Sequence, residues 1–203
     1  GGVIDIGLKT FPDQRQGNVS LSLGYNPNYH FNKNYLTQAA GKTDFLGFGN
    51  KYREIPAENN IPFYAKIIGN PNGEDAQRYK EILSNFNTNM GAMQQMSLMD
   101  MGIGISYGDQ KKLAKSSVGY NFMLSYNNNT EFFKDAEYGR YGLSANPTVT
   151  EMGMREFQKG SFGVNNIMLS AMAGVGIKTL KSKYTFNVLH LQNGESKSGI
   201  FDY

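Results

Sequence analysis

Histidine, cysteine and aspartate are the residue types best suited to bind a metal ion or act in catalysis, and this chain holds few of them in useful arrangements. His30 and His190 are its only histidines, and it has no cysteine. Each histidine lies near the predicted outer end of a strand without a carboxylate cluster, which favours a solvated or interfacial histidine over a metal ligand. No Ser-His-Asp set, cysteine nucleophile or metal motif occurs, so we predict neither an enzyme nor a cofactor.

Asp100 is the acidic residue in the most unusual setting, because it precedes a run of small residues at Gly102, Gly104 and Ser106. It could contact a ligand or a second domain, but a carboxylate paired with a neighbour is the favoured interpretation. The glycines at 102 and 104, and those at 174 and 176, resemble pieces of a phosphate-binding loop. Neither pair is followed by a helix and a Lys-Ser/Thr pair at the required spacing, so we reject a phosphate site.

Two larger groups of side chains could also bind ligands. Methionine thioethers could capture a metal, although adaptable packing is far commoner; the candidates are Met96, Met99, Met101, Met168 and Met172. Aromatic residues of the irregular segments could bind a sugar, and loop packing or docking to a partner explains them at least as well. These residues are Phe45, Phe48, Tyr52, Phe63, Tyr64, Phe132, Phe133, Tyr138, Tyr141 and Phe157. Substrate-binding residues therefore stay unassigned.

Alternation of apolar and polar residues identifies the elements that position these side chains. Runs with a period of two indicate β-strands with one apolar and one polar face. Five runs predict strands at about 18–31, 95–107, 116–130, 162–179 and 182–194. Ordinary strands have five or six residues, whereas strands of about ten with an apolar, aromatic outer face are typical of outer-membrane barrels.

The same alternation predicts which side chains face lipid and which face inward. The outward set is Val19, Leu21, Leu23, Ile103, Ile105, Phe122, Leu124, Leu169, Ala171, Ala173 and Val175. The inward set is Ser20, Ser22, Gly102, Gly104, Asn121, Ser125, Ser170 and Gly174. Aromatic side chains near the strand ends are expected to form an interfacial girdle: Tyr107, Tyr120, Tyr126, Tyr184 and Phe186. In the last strand the phase slips at Leu189 and Leu191, which predicts a bulge near 188–190 or exit of the strand from the lipid band.

Composition limits the remaining classes of function. The 203 residues carry a net charge of +3, too small and too evenly spread to indicate nucleic acid. The absence of cysteine excludes a disulfide framework and a thiolate metal site. No run of about 18 apolar residues occurs, which excludes a membrane-spanning helix. The mean hydropathy of −0.48 is compatible with a membrane barrel, since only alternate strand residues face lipid there.

The connections between the predicted strands alternate between long and short. Residues 32–94 and 131–160 form two long irregular segments, the first with one helix at about 75–86, while 108–115 and 179–182 form short turns. Outer-membrane barrels have long extracellular loops and short periplasmic turns. We therefore expect the long segments outside the cell, and the short turns together with residues 10–17 in the periplasm.

The N-terminal residues resemble a known family. Gly1-Gly2-Val3-Ile4-Asp5-Ile6-Gly7-Leu8-Lys9-Thr10 is similar to the last plug strand of TonB-dependent outer-membrane receptors, and residues 17–25 resemble their first barrel strand. The Asn- and Gly-rich strands and aromatic loops resemble receptors of the Bacteroidota type. The resemblance implies residues 1–10 as the end of the plug, 11–17 as a periplasmic linker and 18–203 as the first five strands of a 22-stranded barrel. It further implies long extracellular loops with one short helix.

This resemblance implies a function and a set of partners. Such receptors import a scarce nutrient, for example a glycan, peptide or siderophore, across the outer membrane of a Gram-negative bacterium. The implied partners are outer-membrane lipid and lipopolysaccharide, TonB through an N-terminal part, and a surface lipoprotein or other outer-membrane subunit. The sequence starts without Met or a signal peptide, and five strands cannot close a barrel, so we expect a segment of a longer polypeptide or strands supplied from elsewhere.

Three alternatives stay open at this point. A non-transporting relative could use its barrel and long loops as a scaffold for a surface complex; a TonB box and an openable plug upstream would favour transport instead. An outer-membrane enzyme or adhesin would be the second, and an enzyme would need clustered polar residues at the barrel mouth. A soluble β-sandwich predicts shorter strands without aromatic bands.

Overall fold

The structure, a computed structural model, describes residues 14–49, 54–57, 61–89, 91–144, 148 and 150–202. These residues contain the strands β1 Gln16–Gly24, β2 Leu36–Thr37, β3 Met93–Gln94, β4 Asp100–Leu113, β5 Ser116–Leu143, β6 Met152–Thr179 and β7 Lys183–Asp202. Five of them form one antiparallel sheet in the order β1-β4-β5-β6-β7, while β2 pairs with β3. The prediction of an all-β antiparallel fold is confirmed, and the sheet is open, with β1 and β7 at its edges. The predicted plug strand lies outside the described residues.

The strand bounds differ from the predicted ones at both ends of β1 and β4. β1 ends at Gly24, because residues 26–30 turn: the backbone N–H groups of Tyr29 and His30 both donate to the Asn26 carbonyl. It begins at Gln16, so the last two residues of the predicted linker pair with β4. β4 runs from Asp100 to Leu113, and the turn expected over 108–115 contains only residues 114–115, because Gly108–Leu113 remain hydrogen-bonded to β5.

The largest correction concerns the second long irregular segment, which was predicted at residues 131–160. Residues 131–143 continue β5 and 152–160 continue β6, so the two strands form one long hairpin joined by residues 144–151. The pairing register shifts between Phe133 and Ala136 and again between Arg140 and Tyr141. Such irregularities shift the alternation of faces, which explains why the period of two is not visible there. We call the part of this hairpin beyond Asn129 the projecting hairpin.

The first long segment contains more helix than predicted. α1 spans Tyr64–Gly69 and α2 spans Glu74–Ser84, with a short 3-10 helix at Asp44–Leu46. The one predicted helix matches α2, which starts after Gly73 and has Glu74 and Asp75 in its first turn. Its buried residues are Ala76 and Ile82, whereas Leu83 is 52% exposed. The six-residue helix α1 has no side-chain cap and is too short to give a periodic signal.

The cross-strand register places the predicted outward and inward residues on opposite faces of the sheet. Val19, Ile105, Leu124 and Ala171 lie in one row across four strands, and Ser20, Gly104, Ser125 and Ser170 lie in the next. Directly paired residues of adjacent strands point to the same side of a sheet. We call the side of Val19 the apolar face and the side of Ser20 the small-residue face.

The register of β7 against β6 runs without a shift from Lys183 to Asp202. A bulge near 188–190 is therefore wrong. Leu189 and Leu191 lie on the small-residue face opposite Met172 and Ser170, and His190 lies on the apolar face. The apolar face thus becomes polar from His190 onward along β7.

The small hydrophobic core of the described residues lies at one end of the sheet. Tyr35, Leu36 and Phe132 are buried together, and Tyr29 packs against them. The ring centroids of Tyr35 and Phe132 are 6.3 Å apart in an edge-on arrangement. This core ties residues 29–36 to β5, just beyond the point where β4 begins.

Candidate functional site

The main surface feature is the exposed apolar face of the five strands. Val19, Leu21 and Leu23 of β1 are 60–76% exposed, and Phe122 and Val188 are 44% and 53% exposed. A typical soluble protein keeps its exposed apolar patches small, so a continuous face of this kind marks contact with another protein or with lipid. The opposite face over the same strands consists of Ser, Gly and Asn with scattered methionine and leucine.

Aromatic and charged residues border the apolar face at the end of the sheet where the short turns lie. Tyr107, Tyr120, Tyr184 and Phe186 all lie on this face near that end. The rings of Tyr107 and Tyr120 are 6.1 Å apart, and the Arg15 guanidinium lies 5.6 Å from the Tyr107 centroid. Basic residues follow beyond them in the described chain: Lys111, Lys112, Lys115, Lys178, Lys181 and Lys183. The fifth predicted girdle residue, Tyr126, lies at the opposite border.

The small-residue face is smooth because serine and asparagine side chains lie over glycines of the neighbouring strand. A Cβ atom at Gly102 would meet the Ser22 hydroxyl, and one at Gly104 would meet the Ser20 hydroxyl. A Cβ at Gly174 would meet the side-chain oxygens of both Asn121 and Asn187. Three of the four glycines that resemble parts of a phosphate loop, Gly102, Gly104 and Gly174, therefore have a packing role within the sheet.

His30 is not the solvated or interfacial residue that the sequence suggests. It is 3% exposed, and its Nε2 lies 3.1 Å from Oδ1 of Asp100. Its Nδ1 accepts a hydrogen bond of 2.8 Å from the Asn26 N–H, so Nε2 carries the proton that is donated to Asp100. The same Asp100 oxygen accepts the Thr130 N–H at 2.7 Å.

The arrangement of His30 and Asp100 is a structural clasp. It joins the turn after β1 to the first residue of β4 and, through Thr130, to β5. Ser97, which is 3% exposed, extends the clasp by donating to the Tyr29 carbonyl and accepting the Asn32 N–H. The prediction that Asp100 pairs with a neighbour is confirmed. The partner was missed, because 70 residues separate Asp100 from His30 in sequence.

Residues 35–49, which we call the covering loop, lie over the apolar face where it becomes polar. The Tyr126 hydroxyl donates to the Phe45 carbonyl at 2.8 Å, and the Gln192 amide donates to the Gly47 carbonyl at 2.6 Å. The Phe48 ring stacks on His190, with centroids 6.3 Å apart. Gly47 has φ of +77°, and a Cβ on the facing Gly194 would lie only 2.7 Å from its Cα. The close contact between these two backbone segments therefore requires glycine at both positions.

An open cleft of about 740 Å³ remains between the covering loop, the segment 95–98 and the stretches of β5, β6 and β7 that contain Asn128, Asn165 and Gly194. The loop contributes rings and Gln38, whose amide donates to the Ser196 hydroxyl at 3.0 Å. The sheet contributes Asn128, Thr130 and Asn165. The Asn165 amide donates to Oδ1 of Asn128 at 2.6 Å and lies 3.3 Å from the Thr130 hydroxyl. We call these three side chains the amide cluster.

The remaining candidate residues are dispersed. Phe45, Phe48 and Met96 line the cleft, Phe132 is in the core, and Phe133 stacks on Phe162 at 4.6 Å. Exposed rings lie beside α1 and on the projecting hairpin: Phe63, Tyr64, Tyr138, Tyr141 and Phe157. The methionines occupy both faces, Met101 on the apolar face and Met168 and Met172 on the other. Tyr52 lies outside the described residues.

Within the described residues, no group of three or more His, Asp or Glu side chains is placed to hold a metal ion. Nor does any helix of that part of the chain have the length and apolar character needed to cross a membrane. No protein-family model, curated protein or solved structure matches this chain.

Proposed function

We propose that this chain is part of a TonB-dependent receptor of a Gram-negative outer membrane, with its five long strands in the barrel wall. The observation that carries the proposal is the contrast between the exposed apolar face and the small-residue face, maintained in register across all five strands. Lipid would cover the apolar face, and the small-residue face would line the lumen beside a plug. Residues 1–10 would be the end of that plug, and 11–17 the linker.

The length of the apolar face supports a membrane as its partner. On β6 it runs from Leu169 to Ile177, between the covering loop at one end and basic residues at the other. A tilted membrane strand needs roughly 9–11 residues to cross the hydrocarbon core. The aromatic residues at its borders have the amphipathic character that favours the interface between hydrocarbon and water.

The transport proposal follows from the family resemblance. The receptor would import a scarce nutrient such as a glycan, peptide or siderophore, with energy delivered by TonB to a part of the protein upstream of Gly1. Further strands, from beyond these residues, would pair with β1 and β7, because open sheet edges are not tolerated in hydrocarbon. Lipopolysaccharide and a surface lipoprotein would be its neighbours outside the cell.

One observation favours a second function, that of a non-transporting scaffold. β5 has 28 residues and would extend roughly 90 Å at 3.3 Å per residue, far beyond a bilayer. Its projecting hairpin exposes Tyr138, Tyr141 and Leu143, each at least 58% exposed. These side chains would suit docking to a second protein of the cell surface.

The membrane placement and its orientation are tested by labelling cysteines in the full-length protein on intact cells. Lys80 lies in α2, and Lys112 lies in β4 beside the short turn. We expect an impermeant maleimide to label Lys80→Cys and to leave Lys112→Cys unlabelled until the cells are opened. Labelling of Lys112→Cys alone would reverse the orientation, and equal labelling of both on sealed cells would contradict a membrane between them.

Transport is separated from the scaffold function by the dependence on TonB. Cells expressing the full-length protein should lose uptake of its nutrient, and growth on it, when TonB is deleted. Growth on an unrelated carbon source provides the control. If growth is unchanged, and truncation of the projecting hairpin instead removes a co-purifying surface protein, the scaffold function is correct.

A further inference from the structure

The cleft beneath the covering loop has the chemistry of a site for an uncharged ligand. Two carboxylates are among its lining residues: Asp44 accepts the Gly41 N–H at 2.8 Å, and Glu195 pairs with Asn166 in the register of the small-residue face. The amide cluster provides amide and hydroxyl groups, and Tyr35, Phe45 and Phe48 provide aromatic rings. No Lys, Arg or His side chain is among the described lining residues. A phosphate or carboxylate in a protein site is normally paired with such a cation. The cleft therefore disfavours anionic ligands.

Hydrogen-bonding capacity is left over in the amide cluster. Asn165 uses its amide hydrogens toward Asn128, the Asn129 carbonyl and Thr130. Within the described chain, the Asn128 amide hydrogens and the Asn165 side-chain oxygen make no hydrogen bond of their own. A donor and an acceptor thus lie side by side in the cleft, which matches a ligand carrying hydroxyl groups, since each hydroxyl both donates and accepts.

The aromatic side chains supply a complementary apolar contact. Phe45 is 59% exposed and Phe48 is 37% exposed, so both retain ring surface that a ligand could cover. The volume of about 740 Å³ falls in the range of small-molecule sites. A sugar ring combines an apolar C–H face with hydroxyl groups at its edge, and so fits rings on one side of the cleft and amides on the other.

We propose that this cleft binds a short neutral oligosaccharide, with the amide cluster contacting its hydroxyl groups and the covering loop contacting its ring faces. The site goes beyond the transport proposal and does not depend on it. It lies directly beside the border of the apolar face, where Tyr126 contacts Phe45. The sugar could therefore come from a soluble oligosaccharide or, if the membrane placement is correct, from the headgroup of a neutral glycolipid.

The test is calorimetric titration of the full-length protein in detergent with maltotriose and chitotriose, and with trigalacturonate as the acidic comparison. We expect at least one neutral trisaccharide to bind and trigalacturonate not to bind. Asn128→Leu should weaken that binding by about tenfold, as expected for the loss of one hydrogen-bonding group. Asn127→Leu is the matched control, because Asn127 neighbours Asn128 on β5 but lies on the small-residue face.

A second variant keeps the binding test informative if Asn128→Leu does not fold. Ala40→Trp adds bulk at a lining position of the covering loop and should also weaken binding, whereas Ala65→Trp in α1 should not. Heat-unfolding midpoints of all four variants monitor the fold. Absence of binding to both neutral sugars would overturn the proposal, as would equal losses in Asn128→Leu and Asn127→Leu. Tighter binding of trigalacturonate would overturn it as well.

The source of the sugar is distinguished with vesicles. Vesicles of phosphatidylethanolamine with and without digalactosyl diacylglycerol are mixed with the protein, and co-flotation is measured. Binding that requires the glycolipid and is reduced in Asn128→Leu supports a lipid-borne sugar. Binding of free trisaccharides alone supports a soluble ligand. The second result leaves the cleft site intact even if the membrane proposal fails.

Discussion

Single side chains on the apolar face offer the most direct test of what covers it. Phe122 lies near the middle of the apolar face on β5, midway between Val118 and Tyr126 and paired with Ala173 of β6, whereas Val118 is paired with Lys111 at the border of that face. In hydrocarbon the cost of an arginine depends on depth. In water both positions would be ordinary exposed sites, where substitutions usually change stability by about 0.5 kcal/mol or less.

We expect Phe122→Arg to destabilise the full-length protein by about 2–4 kcal/mol and Val118→Arg by about 0–1 kcal/mol, because an arginine is most costly at the bilayer midplane. The measurement is equilibrium unfolding in lipid vesicles by urea. Similar costs for the two variants would contradict the lipid-facing assignment and favour a protein partner on this face.

The clasp formed by His30 and Asp100 makes a second prediction at the level of single residues. Asp100→Ala removes the acceptor of both the His30 Nε2–H and the Thr130 N–H. We expect a loss of roughly 1–3 kcal/mol, the usual cost of leaving buried hydrogen-bonding groups unsatisfied. Heat unfolding of the full-length protein measures it, with Asp202→Ala at the exposed end of β7 as the control. Equal effects of the two substitutions would show that the clasp contributes nothing to stability.

Among the elements, the covering loop depends on the contact between Gly47 and Gly194. A side chain at Gly194 has no room, because its Cβ would lie 2.7 Å from the Cα of Gly47. Gly194→Leu should therefore displace the loop and separate Phe48 from His190, at a cost of about 1–3 kcal/mol. The readout is the rate of limited proteolysis between residues 41 and 49. Gly153→Leu is the matched control, since its Cβ would meet nothing within 4 Å. An unchanged rate of proteolysis in Gly194→Leu would mean that the contact between Gly47 and Gly194 does not hold the loop in place.

The elements also show how far the sequence could predict the fold. Regular alternation gave five strands and the correct separation of faces, because one-sided patterning fixes the register. It failed at the projecting hairpin, where the register shifts twice and Asp135 takes a φ of +52°. It also missed the cleft and the clasp, since these are built from segments distant in sequence, such as Gln38 with Ser196 and His30 with Asp100. No local pattern reports such contacts.

At the scale of the whole molecule, the open edges of the sheet predict how residues 1–203 behave when expressed alone. β1 and β7 each have a neighbour on one side in the described sheet. Each unsatisfied backbone group in hydrocarbon costs several kcal/mol, and exposed edges promote association between chains. We expect this piece to aggregate in detergent and to show no change in gel mobility on boiling. A folded monomer whose mobility changes on boiling would contradict the incomplete-barrel interpretation.

The unequal connections between strands have a consequence for the order of folding. β4 and β5 are joined by residues 114–115, and β6 and β7 by residues 180–182, so these hairpins close over very short distances in sequence. β1 must instead find β4 across residues 25–99, and the entropic cost of closing a loop grows with its length. Pairs of low sequence separation form fastest. Among the five strands of the described sheet, we therefore expect β1 to join last although it precedes the other four in sequence, after the clasp and the covering loop have brought the ends of residues 25–99 closer together.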